Sequence, residues 1–252
     1  MSRPTSRRRL DAVIFDLGNT LIYFDTDWPK VLTQADGILF AHLKAAGLDL
    51  DGREFLPTFR TRLEAYYRER ETEFIEYTTQ YVLRILLAEW GYPDVPDAIL
   101  RPALDAMYAA TQAHWQPEPD AIPTLQTLKG LGYHIGLISN AADDRDVQTL
   151  IDKAGVRPYL ERVLTSAAEG IRKPNPRIFH TLLNDWGIPP QRAAMVGDTL
   201  GADILGARNA GMFSIWIARR ADNPANRAHA GTIRPDATIA TLVELPGLLE
   251  RL

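Results

Sequence analysis

Four short apolar runs, each ending beside a polar loop, constrain this chain more than any other feature. The first covers residues 12–16, Ala-Val-Ile-Phe-Asp, and is followed by Gly18 and Asn19. The runs at 134–140 and 193–198 end in Ser139-Asn140 and Gly197-Asp198, and the run at 213–217 leads into Arg219 and Arg220. A weaker run of the same kind covers 162–165. Uninterrupted apolar runs of this length suit strands buried on both faces of a parallel sheet. Between them, residues 121–131, 144–154, 176–186 and 202–210 have helical character, the last closed by Gly211. Alternating strand and helix predict an α/β fold with a doubly wound parallel sheet. Ligands of such sheets sit beyond the carboxyl ends of the strands, where Asp16, Ser139, Asn140 and Asp198 fall.

One interval breaks the rhythm. Asp16 and Ser139 lie 123 positions apart, whereas a parallel strand–helix–strand unit takes about 30 residues. The surplus of roughly 90 residues reads as helices at 31–46, 52–69, 71–90 and 97–114, divided by turn signals such as Gly91-Tyr-Pro. An all-helical domain, residues 23–116, is therefore expected as an insertion into a sheet domain made of 1–22 and 117–252. Within it, Tyr66, Tyr67, Phe74, Tyr77 and Tyr81 read as packing residues. Arg60, Arg62, Arg68 and Arg70 read as ion-pair partners of Glu64, Glu69, Glu71 and Glu73.

Composition narrows the chemistry. The 252 residues include no cysteine, which excludes disulfides, thiolate metal sites and a cysteine nucleophile. A net charge of −4 lacks the basic excess of nucleic-acid-binding chains, so no nucleic-acid partner is expected. No apolar run reaches the length of about 18 residues that marks a membrane span, so no membrane partner is expected and the cytoplasm is the default compartment. Met1 to Leu10 carries positive charge, but the following apolar run is broken by Asp16, and the segment reads as a solvated tail. The five histidines show no metal-ligand spacing.

The chemistry gathers at four places: Asp16-Leu-Gly-Asn-Thr20, Ser139-Asn140, Arg172-Lys-Pro174 and Gly197-Asp-Thr-Leu-Gly-Ala-Asp203. Carboxylates, hydroxyls, loop amides and a lysine converging on one sheet edge suit a doubly anionic group and a hard cation, and magnesium prefers such oxygen ligands. These motifs, in this order and setting, resemble those of the haloacid dehalogenase-like superfamily of phosphohydrolases. The resemblance covers the whole chain, and the helical insert resembles the superfamily's cap over a Rossmann-like core. It implies that Asp16 is the nucleophile that becomes an aspartyl phosphate. Thr20 and Ser139 would hold phosphate oxygens, with Asn140 beside them in the substrate-binding set. Lys173 would neutralise phosphate and shield Asp16. Mg2+ would be held by Asp16, the Gly18 carbonyl and Asp198, with Asp203 either a direct ligand or behind one. The implied substrate is a small phosphorylated metabolite, and monomer and homodimer both stay open.

One position departs from the pattern: the superfamily's phosphatases usually carry a second aspartate where this chain has Gly18. That residue normally serves as general acid and base, a contribution of about 10²–10⁴-fold. Candidate substitutes are Asp25, a cap residue, water, or a substrate with a good leaving group. Gly18 therefore keeps alternatives open, namely a 2-haloacid dehalogenase, a phosphotransferase or mutase, and a phosphate-ligand binding or regulatory protein with little turnover. Asp143, Asp144 and Asp146 read as stabilisers of the helix that follows them, where negative charge is favourable.

Overall fold

The computed structural model describes residues 9–252, apart from the side chains of Arg70 and Glu71. The expected tail lies outside these residues up to position 8, but Arg9 and Leu10 belong to the fold. Leu10 is buried, and the Arg9 guanidinium lies 5.1 Å from the Phe213 ring centroid.

In chain order, β1 (Ala12–Phe15) and β2 (Ile22–Phe24) lead into α1 (Trp28–Ala45), α2 (Gly52–Glu73), α3 (Thr79–Glu89) and α4 (Asp97–Gln112). β3 (Trp115–Pro117) brings the chain back to α5 (Ala121–Gly130), β4 (His134–Ser139), α6 (Asp144–Lys153), β5 (Arg162–Thr165), α7 (Ser166–Glu169) and α8 (Pro176–Trp186). β6 (Ala193–Gly197), α9 (Leu205–Asn209), β7 (Phe213–Ile217), α10 (Pro224–His229), β8 (Ala237–Ile239) and α11 (Leu245–Glu250) complete it. Six strands form one parallel sheet in the order β5-β4-β1-β6-β7-β8.

The unbroken apolar runs follow from burial of both sheet faces. Side chains alternate along a strand, so Val13 and Phe15 enter one core with Leu125, Leu137 and Ile151, while Ala12 and Ile14 enter the other with Ile178, Phe179 and Met195. Helices α5 and α6 cover the first face and α8 the second. Gly136 interrupts the apolar residues of β4 because a Cβ there would lie 2.7 Å from Cη2 of Trp186.

Helices α1–α4 pack around a core of their own that includes Leu39, Leu43, Phe55, Phe59, Leu83, Leu86, Leu100 and Leu104. The chain enters this unit through β2 and leaves through β3, which pair antiparallel with Ile22 opposite Pro117 and Phe24 opposite Trp115. Glu118, just beyond β3, is buried and takes ion pairs from Arg219 and Arg220 of the loop after β7. Arg220 also lies 3.9 Å from the Tyr23 ring centroid, so the two connecting strands are tied to the sheet edge.

The insert departs from expectation in its middle. α2 runs on to Glu73, and α3 begins only at Thr79, where the Thr78 hydroxyl accepts from the Tyr81 amide. Phe74 takes a left-handed φ of 55°, and the following residues pair with the segment before Lys173. Arg172 N donates to Phe74 O at 3.1 Å, and Glu76 N donates to Gly170 O at 3.1 Å. This long-range backbone pairing, invisible to local periodicity, places the helix break. Two of the expected ion pairs within α2 are also corrected. Arg60 pairs with Asp36 of α1 and Arg62 with Glu89 of α3, because helix packing brings these carboxylates across. The side chains of Arg70 and Glu71 lie outside the described residues. Tyr66, Tyr77 and Tyr81 pack on one another, and Tyr67 lies against the insert core.

Candidate active site

The carboxyl ends of β1, β4 and β6 deliver Asp16, Ser139 and Asp198 to one edge of the sheet. Asp16 N still donates to Val196 O at 2.9 Å, so the nucleophile candidate is anchored by the last rung of the ladder. The loop beyond it turns sharply through Asn19, which holds a left-handed φ of 56°, a conformation asparagine tolerates better than most residues.

Lys173 reaches the same point from the loop after α7. It is 2% exposed, and its Nζ lies 2.7 Å from Asp16 Oδ1, 2.7 Å from Asp203 Oδ1 and 2.7 Å from the carbonyl of Ile138. Burial alone would lower the ammonium's pKa, but Asp16 and Asp203 outweigh it and hold it above the ordinary lysine value. Asn140 uses both ends of its amide on this lysine's backbone, donating from Nδ2 to Lys173 O at 2.9 Å and accepting from Lys173 N at 2.9 Å. Its side chain, expected to hold substrate, positions Lys173.

Asp198 precedes a π-helical turn at Leu200–Ile204, and Asp203 lies within it. Asp203 Oδ2 accepts from Thr199 N at 2.9 Å, and Thr199 donates its hydroxyl to Asp198 at 3.1 Å. Gly197 is required here, since a Cβ on it would fall 2.3 Å from Asp203 Cγ. Two residues that local sequence reasoning missed fix the Asp198 backbone: Asn226 Nδ2 and Trp216 Nε1 each donate to its carbonyl at 2.8 Å. Their distance along the chain left no signal.

Oxygens of Asp16, Asp198 and Asp203 lie within 4.8 Å of one another. Burial, followed by the charges of Asp16 and Asp203, pushes Asp198 up to about 8. Burial also raises Asp203 to about 6 despite the neighbouring Lys173. Buried carboxylates this close, with one ammonium among them, fit a hard divalent cation, whose charge would relieve their repulsion and whose preferred ligands are oxygens.

These groups open on a cavity of about 410 Å³ that the insert closes from the other side. Asp16, Gly18, Ser139, Asn140, Lys173, Asp198 and Asp203 all line it. Thr20 does not: it is fully buried, off the lining, and its hydroxyl has no hydrogen-bond partner. Asp25 is also off the lining and turns to His114 and Gln116 at 3.1 Å, which removes it as the substitute acid. Asp143 caps α6 by accepting from Asp146 N at 3.0 Å, whereas Asp146 turns its carboxylate to Gln112 of α4 and lines the cavity. Burial pushes Asp146 up to about 7. A Cβ on Gly18 would point at Trp115, 3.4 Å from Cη2 of its ring.

The chain and its fold are similar to those of known proteins. The chain is 30% identical over 212 residues to a glyceraldehyde 3-phosphate phosphatase of Methanopyrus kandleri, covering 83% of this chain and 84% of that one. It is 32% identical to the protein of the same name in Methanothermobacter thermautotrophicus, covering 82% and 85% of the two chains. The crystal structure of a 2-haloacid dehalogenase from Pseudomonas syringae pv. tomato superposes with a TM-score of 0.67 at 27% identity, covering 96% of this chain and 99% of that one. Residues 10–211 match the haloacid dehalogenase-like hydrolase family, and with a sheet, a carboxylate edge and relatives that agree, the chain belongs to that family of enzymes.

Proposed function

We propose that this hydrolase is a magnesium-dependent phosphatase acting on a small phosphorylated metabolite through an aspartyl phosphate on Asp16. The observation that carries the reading is the buried cluster in which Lys173 Nζ touches Asp16 and Asp203 at 2.7 Å while Asp198 completes a set of oxygens within 4.8 Å. The two relatives named as phosphatases support the same class of reaction.

Asp16 Oδ2 is the free nucleophilic oxygen when Oδ1 is bonded to Lys173. Lys173 holds that carboxylate in place and offsets the charge of an incoming phosphate, so two anions can approach. Ser139, at the end of β4, is the side-chain hydroxyl available to a phosphate oxygen, and the loop amides near Asn19 add donors. Asp16, the Gly18 carbonyl and Asp198 would hold Mg2+, which when bound supplies Lewis-acid stabilisation of the transferring phosphoryl group. Asp203, with one oxygen on Thr199 N and the other on Lys173, stands behind that set and fixes the lysine. In this reading residues 1–22 and 117–252 are the core, and residues 23–116 are the cap whose closure excludes water and selects the leaving group.

Phosphate release from a panel of phosphomonoesters, with and without Mg2+, tests the proposal. Wild type should require the metal, and Asp16→Asn should lose at least about 10⁴-fold in turnover. Retention of metal-dependent activity by Asp16→Asn would refute the covalent route. A second reading, a 2-haloacid dehalogenase, is favoured by Gly18 and by the similarity to the Pseudomonas syringae enzyme. Metal-independent halide release from 2-chloropropionate would put it first.

A further inference from the structure

The wall that the insert contributes to the cavity is unlike the sheet edge opposite. It places Trp28, Leu32, Leu63, Met107 and Trp115 on the lumen. The polar side chains on that wall already have partners. Arg60 and Asp36 form an ion pair, Tyr108 donates to Thr79 Oγ1 at 2.8 Å, and Thr111 donates to the carbonyl of Tyr108 at 2.9 Å. A sugar, polyol or amino-acid leaving group would find the Arg60, Tyr108 and Thr111 donors of this wall already committed, and an unmatched polar group is costly in a closed site. With Asp36 and Arg60 neutralising each other, the described residues of that wall also offer no unpaired cation for a second anionic group.

An independent observation comes from Gly18. It supplies no acid to a departing oxygen, and the side chain that faces it is the Trp115 indole, with Cη2 and Cζ3 at 3.4 and 3.8 Å from a Cβ built there. Trp115, Phe24 and Trp28 pack as an edge-to-face trio with centroids 4.6–6.0 Å apart. Trp28 nevertheless keeps 42% of its surface exposed, which leaves ring surface for a ligand. Flat rings favour such offset and edge contacts.

Resting on the phosphatase reading, we infer that the ester hydrolysed here carries a flat, largely apolar aryl or heteroaryl alcohol, packed against Trp115 and Trp28 and departing without a carboxylic acid at position 18. As the bond from the Asp16 oxygen to phosphorus forms, the bond from phosphorus to the aryl oxygen breaks. The electron pair leaves on that oxygen, which takes its proton from water. A second water then hydrolyses the aspartyl phosphate, returning the Asp16 carboxylate and inorganic phosphate. An aryl oxygen suits a site without a strong acid, because a phenol with a pKa of about 10 leaves as an anion far more readily than an alkanol, whose acidity is closer to water's about 15.7.

Recognition is separated from leaving-group reactivity by titrating Asp16→Asn calorimetrically, with Mg2+ present, with phenyl phosphate and with glycerol 3-phosphate. Phenyl phosphate should bind at least about ten-fold tighter, and the ratio should fall below about three-fold when Trp28→Ala or Trp115→Phe is added, two changes chosen so that one tolerates a fold defect in the other. Equal affinities, or tighter binding of glycerol 3-phosphate, would overturn the inference. Phosphate release by the wild-type enzyme keeps the two proposals apart. Release from glycerol 3-phosphate at the phenyl phosphate rate would overturn the aryl preference alone, whereas no Mg2+-dependent release from either ester or from the wider panel would remove the phosphatase reading beneath it.

Discussion

The two walls of the cavity at the sheet edge are built on opposite principles. On the sheet edge, Asp16, Lys173, Asp198 and Asp203 are ionisable and buried, with Lys173 ion-paired to Asp16 and Asp203 and the oxygens of the three aspartates within 4.8 Å of one another. On the insert, Trp28, Leu63, Met107 and Trp115 present apolar surface, and the charged pair Asp36–Arg60 closes on itself. Under the proposed function, the charged wall would carry the reaction and the apolar wall would choose its object. Buried charge is costly unless a partner or ligand answers it, so it is kept where chemistry needs it. An apolar wall carries no such cost and can vary with the substrate.

The sharpest way to break this contrast is Lys173→Met. It leaves Asp16 and Asp203 without their shared buried cation, and loss of one partner from such a set costs about 3–5 kcal/mol. Urea unfolding of the metal-free protein should show that loss, and phosphatase turnover should vanish with it; a change below about 1 kcal/mol would mean that the charged wall does not depend on its lysine.

Asp146 joins the two walls, reaching from α6 of the sheet domain to Gln112 of the insert. Burial raises its pKa from 3.8 to about 7, so the folded state retains a proton that the unfolded chain has already lost. Its contribution to stability is therefore complete below 3.8 and declines as pH rises through about 7. Asp146→Asn should flatten the fall in urea midpoint between these limits; an unchanged slope would show that the carboxyl is ionised throughout.

The smallest effect is expected from Gly18→Asp. The new side chain would start 3.4 Å from the Trp115 ring, so the carboxyl lands against an indole and is not aimed freely at the leaving oxygen. Turnover should change by less than about ten-fold, against the 10²–10⁴-fold that a well-placed general acid gives. A gain of about a hundred-fold or more would show that the missing acid alone, and not the insert wall, distinguishes this site.

The sheet was legible in the chain because its cause is local. Ala12 to Phe15 alternate between two buried cores, which leaves an unbroken apolar run that no solvent-facing strand would have. Asp16, Ser139 and Asp198 were legible for a related reason, since a polar residue ending such a run must face the loop edge. The π-helical turn that carries Asp203 and the amide clamp by which Asn140 holds Lys173 were not. Each depends on a partner from another loop, and no periodicity announces it. The break at Phe74 was misplaced for the same reason, because it is set by pairing with residues 170–172 and by Glu76, whose Oε2 accepts from Ser166 Oγ at 2.6 Å.

The sequence by itself determined the class of fold, the interruption of 123 positions between Asp16 and Ser139, and the residue types at the strand ends. Short-range sterics and burial of both sheet faces are written into each run of residues, and they need no knowledge of the rest of the chain. Only the tertiary structure decided that Thr20 is withdrawn from the cavity, that Asp146 joins it, and that Trp115 stands over Gly18. Those outcomes rest on packing between elements well separated in the chain, such as α4 and α6 at Gln112 and Asp146, where shape and partner availability, not local preference, set each side chain's position.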